Sequence, residues 1–287
     1  MKSSRRMIIF WWLRGNFDLL NCEIMRPKKN LADYNHPLVV QKARELTRGV
    51  GTDRGKIEKL FYYVRDEIRY GFLKELDYLT ASDIIRRKMG QSNNKGILFF
   101  SLCKALDIPV RMHFSIINKA ILRGLFTGLA YKILSDQISH CWIEVLVEDT
   151  WRSIDTYICD EDYYRAAMTE LNSCSREGGY PLACLADGSR LAFNIDQERP
   201  VLMDAVVLDQ GVYDDPSDYF YSMRYVNRFA IVKFFIFQHV IIPWVNRRTE
   251  RMRLSRSYGV CGEGNAAGWN CTDIFNAVFK TELHFGI

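Results

Sequence analysis

The sequence predicts an α+β fold in which a layer of helices packs on an antiparallel sheet. Three observations carry that prediction. Apolar residues recur at helical spacing in two stretches, Ile57, Leu60, Phe61, Val64 and Ile68 in one and Ile97, Leu98, Leu102, Ala105 and Leu106 in the other. Residues 110–117 and 140–147 alternate instead with the two-residue period of strands. Glu148-Asp149-Thr150 then forms a tight connection, so that 151–155 pairs back on 140–147 as a hairpin.

Taken in order, the chain divides into an N-terminal extension (1–30), a main domain (31–222) and a C-terminal helix and tail (223–287). In the extension, Lys2, Arg5 and Arg6 precede an apolar run at residues 7–13. The run imitates a secretion signal, but it is short, Arg14 ends it and no small-residue cleavage site follows, so it reads as a packing or surface-anchoring segment. Asn35-His36-Pro37 opens the first helix of the domain, with His36 as a surface or capping residue. Thr52-Asp53 caps the second, whose Tyr62 and Tyr63 read, with Tyr70, as core aromatics. Ser82-Asp83 caps a short third helix with Arg86, Arg87 and Lys88 in its last turn, where cations suit the helix dipole.

Gly90 stops that helix and Ser92 caps the next, which runs until Ile108-Pro109. Residues 120–134 read as one amphipathic helix forming a rim over a cleft. Residues 160–220 are rich in turns, with further strands expected at 183–193. The apolar run at 225–242, ended by Pro243, is too short and too interrupted for a membrane span and reads as a docked helix, with an interfacial helix as the second reading.

Composition excludes several classes. With 48% hydrophobic and 25% charged residues over 287 positions, the chain is an ordinary globular protein able to bury a large core. The net charge of +5 falls unevenly. Arg224, Arg228, Lys233, Arg247, Arg248, Arg251, Arg253 and Arg256 are opposed only by Glu250, which makes a solvated basic helix with room for weak contact to an anionic membrane surface. The eight cysteines show no Cys-x-x-Cys pair and no zinc spacing, which fits reduced thiols and a cytoplasmic setting, with a disulfide among Cys159, Cys174 and Cys184 left open. Phosphate-binding loops, helix-borne metal pairs and base-reading aromatic motifs are absent, so no cofactor, metal or nucleic-acid partner is expected.

The chain is organised around Met89 to Arg111, which places Ser92 at the start of a buried apolar helix. Helix N-termini stabilise negative charge and are where thiol hydrolases place their nucleophile. Here Gly90, Gln91, Lys95, Gly96, Ile108, Pro109 and Arg111 follow a recognisable pattern. Downstream stand His140-Cys141-Trp142-Ile143-Glu144-Val145 and Trp151-Arg152-Ser153-Ile154-Asp155. In these residues the chain resembles the transglutaminase-like superfamily, the papain-related group with a Cys, His, Asp triad. The resemblance covers roughly Asp33 to Met168 and implies a papain-like fold. It also implies a catalytic set of residue 92, His140 and Asp155, with Gln91 and Trp142 flanking the oxyanion site or cleft. Ser92 stands where the family's pattern carries cysteine.

That family chemistry is attack on a peptide or carboxamide carbonyl, an acyl-enzyme, and its resolution by water or an amine. Across the hairpin Asp155 is expected to accept the Nδ1–H of His140 and leave the other ring nitrogen to the nucleophile. A serine hydroxyl is barely ionised near neutral pH, so catalysis is expected to be impaired. Three functions therefore compete: a hydrolase or acyltransferase acting on a peptide or protein substrate, an inactive pseudoenzyme that binds peptides or proteins, and a membrane-adjacent structural protein using the basic C-terminal helix. Ser92-Asn93-Asn94-Lys95 also matches the Ser-x-x-Lys element of penicillin-recognising enzymes. The companion elements are missing, so Lys95 reads as a packing and solvent-facing residue.

Overall fold

A computed structural model describes residues 28–173, 179–182, 192–196 and 205–257. The N-terminal apolar run at 7–13 lies outside the described residues, as do 183–191 of the segment expected to add strands; Phe193 is described and belongs to no strand. The helical layer is formed by α1 (Pro37–Leu46), α2 (Asp53–Tyr62), α3 (Ala81–Arg87) and α4 (Ser92–Lys104). A two-stranded parallel pair, β1 (Arg69–Tyr70) and β2 (Met89–Gly90), sits between α2 and α4. The main sheet contains β3 (Val110–Asn118), β4 (Gln137–Val147), β5 (Thr150–Ile154) and β6 (Val206–Tyr213), in the antiparallel order β5-β4-β3-β6. This is the α+β architecture that the two periodicities predict.

Caps fix where each helix starts. The His36 ring accepts from the Leu38 amide, and the Thr52 hydroxyl accepts from Gly55. The third helix departs from expectation, because Thr80 rather than Ser82-Asp83 is its cap and accepts from the Asp83 amide at 3.2 Å. At α4 the cap is Gln91, not Ser92; Ser92 is the first helical residue. The Gln91 amide is bound in turn by the Asn94 side chain at 3.2 Å, a bond of the capping-box kind.

Helix α4 lies in the centre of the core, with every residue from Asn93 to Cys103 buried. Gly96 is what lets it sit so near the sheet. A Cβ there would stand 2.8 Å from the Cys141 sulfur, 2.8 Å from the Met112 methyl and 2.9 Å from the Tyr157 hydroxyl. Cys141 therefore points at the helix, while His140, Trp142 and Glu144 alternate to the other face of β4, as the strand period requires.

The segment at 119–134 is not one helix. It divides into a 3₁₀ turn, Lys119–Leu122, and a short helix, α5 (Gly128–Ile133), separated by Gly124 at φ +83° and Gly128 at φ +55°. Both glycines hold left-handed backbone that breaks a helical run. The chain continues through α6 (Glu161–Ser173) and α7 (Pro216–Phe220). Cys159 is a buried free thiol whose sulfur reaches the Pro181 carbonyl, so it is not part of a disulfide; Cys174 and Cys184 lie outside the described residues.

Pro243 does not end the C-terminal helix. The chain stays helical through α8 (Ile231–Ile236), a π segment (Phe237–Ile241) and α9 (Ile242–Ser257). Pro243 is the second residue of α9, in the first turn, where a missing N–H costs the helix least. Among the described residues no helix is long and apolar enough to cross a membrane.

Helix α9 docks instead through polar anchors. Asn246 exchanges two hydrogen bonds with the Phe72 backbone, at 2.9 and 2.8 Å. Arg253 binds both carboxylate oxygens of Asp160 and the Tyr70 carbonyl. Burial alone would raise the Asp160 carboxyl, but the Arg253 guanidinium outweighs it and holds that pKa below the usual range. Breaking a buried pair from one side strands the other charge. Arg253→Ala is therefore expected to lower the unfolding free energy by about 3–5 kcal/mol, measured by urea denaturation.

Candidate active site

The candidate site lies where the start of α4 meets the start of β4. Ser92 and His140 line one small cleft of about 60 Å³, together with Gln91, Asn93 and Tyr70. No hydrogen bond joins Ser92 to His140, and Ser92 is partly exposed while His140 is buried. Unliganded sites often hold such pairs loosely.

Asp155 follows directly on β5 and is completely buried. Its carboxylate lies 3.2 Å from the Nε2 of His140, with the second oxygen at 3.4 Å. The hairpin therefore does bring the two residues together, but through Nε2 and not the expected Nδ1. The antiparallel register, which sets Ile143 opposite Ile154, brings the end of β5 toward the start of β4. Nδ1 is thus the ring nitrogen that Asp155 does not engage.

The two flanking residues part company. Gln91 lines the cleft, but its Nε2 donates to Asp77 at 2.5 Å, which ties the side chain into the scaffold and leaves one further N–H on that nitrogen. Trp142 lies outside the lining of this cleft. Its ring stacks on His113 with centroids 4.2 Å apart and its N–H points to Glu144, 3.4 Å away.

Lys95 is a further correction. It is wholly buried, not solvent-facing, and its Nζ donates to the Arg65 carbonyl at 3.0 Å, with no bond to Ser92. Burial brings its pKa down to about 7. That placement gives the Ser-x-x-Lys spacing no shared site. No described cysteine stands in as nucleophile either, since burial pushes the thiols of Cys103, Cys141 and Cys159 up.

What motif reasoning missed is the network that holds the site. Asp77, fully buried, accepts from Gln91, from Asn93 at 3.1 Å, from Asn227 at 3.0 Å and from the Tyr225 hydroxyl at 2.7 Å. Asn93 and Asn227 also donate to the Ser139 carbonyl, next to His140. Asn227 accepts from the Ser139 amide at 2.7 Å in return. One sequence signal was available: Gln91, Asn93 and Asn94 open an apolar helix, and amides in a buried turn require partners.

A second polar cluster lies farther along the sheet. Glu144 binds Arg111 at 2.6 Å and His113 at 3.0 Å, while the other nitrogen of His113 meets Asp209 of β6 at 2.8 Å. His113 and then Arg111 hold the Glu144 carboxyl down to about 2, against the effect of burial. Burial alone would lower the His113 pKa, but its bonds to Glu144 and Asp209 raise it.

The family model described as the Transglutaminase-like superfamily matches residues 40–156, a stretch that contains Ser92, His140 and Asp155. The fold is thus the transglutaminase-like one, helices over an antiparallel sheet. No curated protein matches the chain. Among solved structures, a proposed cysteine protease from Cytophaga hutchinsonii is similar at 15% identity and a TM-score of 0.35, over 46% of this chain and 40% of that one. A proposed protease from Parabacteroides distasonis shares 15% identity with a TM-score of 0.29, over 46% of this chain and 30% of that one. A TGase shares 11% identity with a TM-score of 0.27, over 51% of this chain and 37% of that one. The chain therefore spans less than half the length of each.

Two measurements follow from these networks. Asp77→Ala leaves buried donors without an acceptor, each worth about 1–3 kcal/mol, so the variant should unfold at clearly lower urea concentration than the parent protein. The depressed Glu144 pKa makes its contribution to stability fully present above about pH 4.3, the unfolded value, and lost as the pH falls through about 2. The raised pKa of His113 has the opposite sign, with its contribution present below about 6.5 and lost as the pH rises through the folded value. The stability difference between the parent and Glu144→Gln should accordingly shrink on acidification below pH ~4, read from denaturation curves across pH.

Proposed function

We propose that this cleft is an acyl-transfer site of the thiol hydrolase or acyltransferase type, acting on a peptide or carboxamide bond, with turnover impaired by serine at position 92. The observation that carries the reading is the convergence of Ser92, at the first turn of a buried helix, and His140 on one cleft, with the buried Asp155 behind the ring. Asp155 holds the Nε2–H and so orients the ring. The Nδ1 atom then takes the proton of the residue-92 nucleophile as its heteroatom bonds the carbonyl carbon. Backbone N–H groups at the start of α4 receive the oxyanion. The imidazolium returns its proton to the departing amine, leaving an acyl-enzyme that water or a second amine resolves. With cysteine the nucleophile ionises readily, whereas serine has to lose its proton in the act of attack.

A second reading, a binding module that keeps the cleft without turnover, is favoured by the serine itself and by the missing Ser92–His140 hydrogen bond. One substitution separates the two. Ser92→Cys should create a thiol with a depressed pKa beside the imidazole, alkylated by iodoacetamide at least ~10-fold faster than the buried native thiols at neutral pH. His140→Ala in that background should abolish the excess reactivity, and the Ser92→Cys protein should gain amidase, peptidase or transamidase turnover. A thiol no more reactive than the native ones would favour the binding module. Substantial turnover by the serine form, lost in Ser92→Ala, would instead establish a working serine hydrolase.

A further inference from the structure

A larger cavity opens beside the Ser92–His140 cleft, about 310 Å³ in volume, within the range of small-ligand pockets. The two share Phe72, Gln91, Leu122, Ile138 and Asn227 in their walls and so adjoin each other. One wall is a run of aromatic rings. Phe72 meets Phe126 edge-on at 5.3 Å, Phe126 stacks with Phe237 at 6.4 Å, and Phe237 stacks with Phe229 at 4.8 Å. Much of the lining comes from the segment at 119–134 and from residues 226–237, neither of which carries Ser92, His140 or Asp155.

The charge on this cavity is one-sided. Lys132 on α5 and Lys233 on α8 both line it, both are exposed, and neither has an ion-pair partner among the described residues. Asp77 is the one acidic residue in the lining, and its carboxylate is already occupied by the donors of Gln91, Asn93, Asn227 and Tyr225. The cavity therefore pairs an aromatic wall with two lysines that no described carboxylate neutralises, beside Arg228, whose guanidinium donates to the Ser222 carbonyl. Apolar surface there gains from excluding water, and a carboxylate would gain from the lysines without displacing an existing partner.

We infer that this cavity is the specificity subsite of the acyl-transfer cleft and takes a peptide segment in which a bulky apolar side chain, aromatic or long aliphatic, lies next to an acidic one. The apolar side chain packs on Phe72, Phe126 and Phe237, and the carboxylate meets Lys132 and Lys233. This rests on the reading of the adjoining cleft as an acyl-transfer site, but it is tested by binding alone.

The experiment uses the full chain with Ser92 in place, so that no turnover is needed, and titrates it calorimetrically with an acetylated, amidated pentapeptide Gly-Gly-Phe-Asp-Gly. Two control peptides replace the aspartate by asparagine or the phenylalanine by serine. The parent peptide should bind about tenfold more tightly than either control, the scale of one charge-assisted contact or one buried side chain. The exposed lysines can be replaced without disturbing the core. Lys132→Met with Lys233→Met should erase the aspartate preference and leave the phenylalanine preference. Raising sodium chloride from about 50 to about 500 mM should weaken the first preference alone.

Equal binding of the three peptides, or an aspartate preference that survives in the double variant, would overturn the inference. So would binding of phosphatidylserine vesicles through the two lysines with no discrimination among peptides. The alkylation test on Ser92→Cys separates the two claims. Peptide selectivity with an unreactive thiol keeps the subsite and removes the catalytic reading, and a reactive thiol without selectivity does the reverse.

Discussion

The structure depends on one buried carboxylate. Asp77 has no ion-pair partner among the described residues and is held by four neutral donors, from Gln91 and Asn93 at the start of α4 and from Tyr225 and Asn227 in the segment before α8. A buried ion survives only when its hydrogen-bonding capacity is filled. The chain fills it by bringing residues 225–227 onto the stretch 77–93, with Asp77 and Asn227 150 positions apart. The strand joins the same network, because Asn93 and Asn227 also bind the backbone of Ser139. The first turn of α4 and the start of β4 are thereby fixed to each other, which is the relation that any chemistry between Ser92 and His140 requires.

Two further constraints keep that junction rigid. Gly96 removes a side chain at the point of closest approach, so that α4 seats directly on Cys141, Met112 and Tyr157. The C-terminal helix closes the assembly from the far side, where Arg253 joins Asp160 and the backbone of Tyr70. Tyr70 pairs with Gly90, the residue before the Gln91 cap. The basic helix thus has a structural task through its buried face, while Val232, Phe235 and Leu254 remain on its exposed side.

The His140–Asp155 pair is formed and buried, and Ser92 lines the same cleft as the ring. A buried imidazole–carboxylate pair costs desolvation, and its main return is a fixed ring orientation. The neighbouring cavity has stacked aromatic rings in its wall and two lysines without an ion-pair partner among the described residues.

Local pattern in the sequence was enough to determine the helices that carry apolar stripes, the alternating strands and the hairpin that joins His140 to Asp155. Each of these depends on residues within a few positions of one another. Sequence also placed Ser92 at the head of the central helix, although the cap proved to be its neighbour Gln91. Only the tertiary structure decided that Asp155 meets Nε2, that Lys95 is buried and that Trp142 turns to His113. The same holds for the role of Asp77 and for the helix that runs on past Pro243. Those outcomes turn on which long-range neighbours fill a polar group's valence or a helix's missing bond. Asp77 and Asn227 are 150 positions apart, and nothing in the local sequence around either residue records the other.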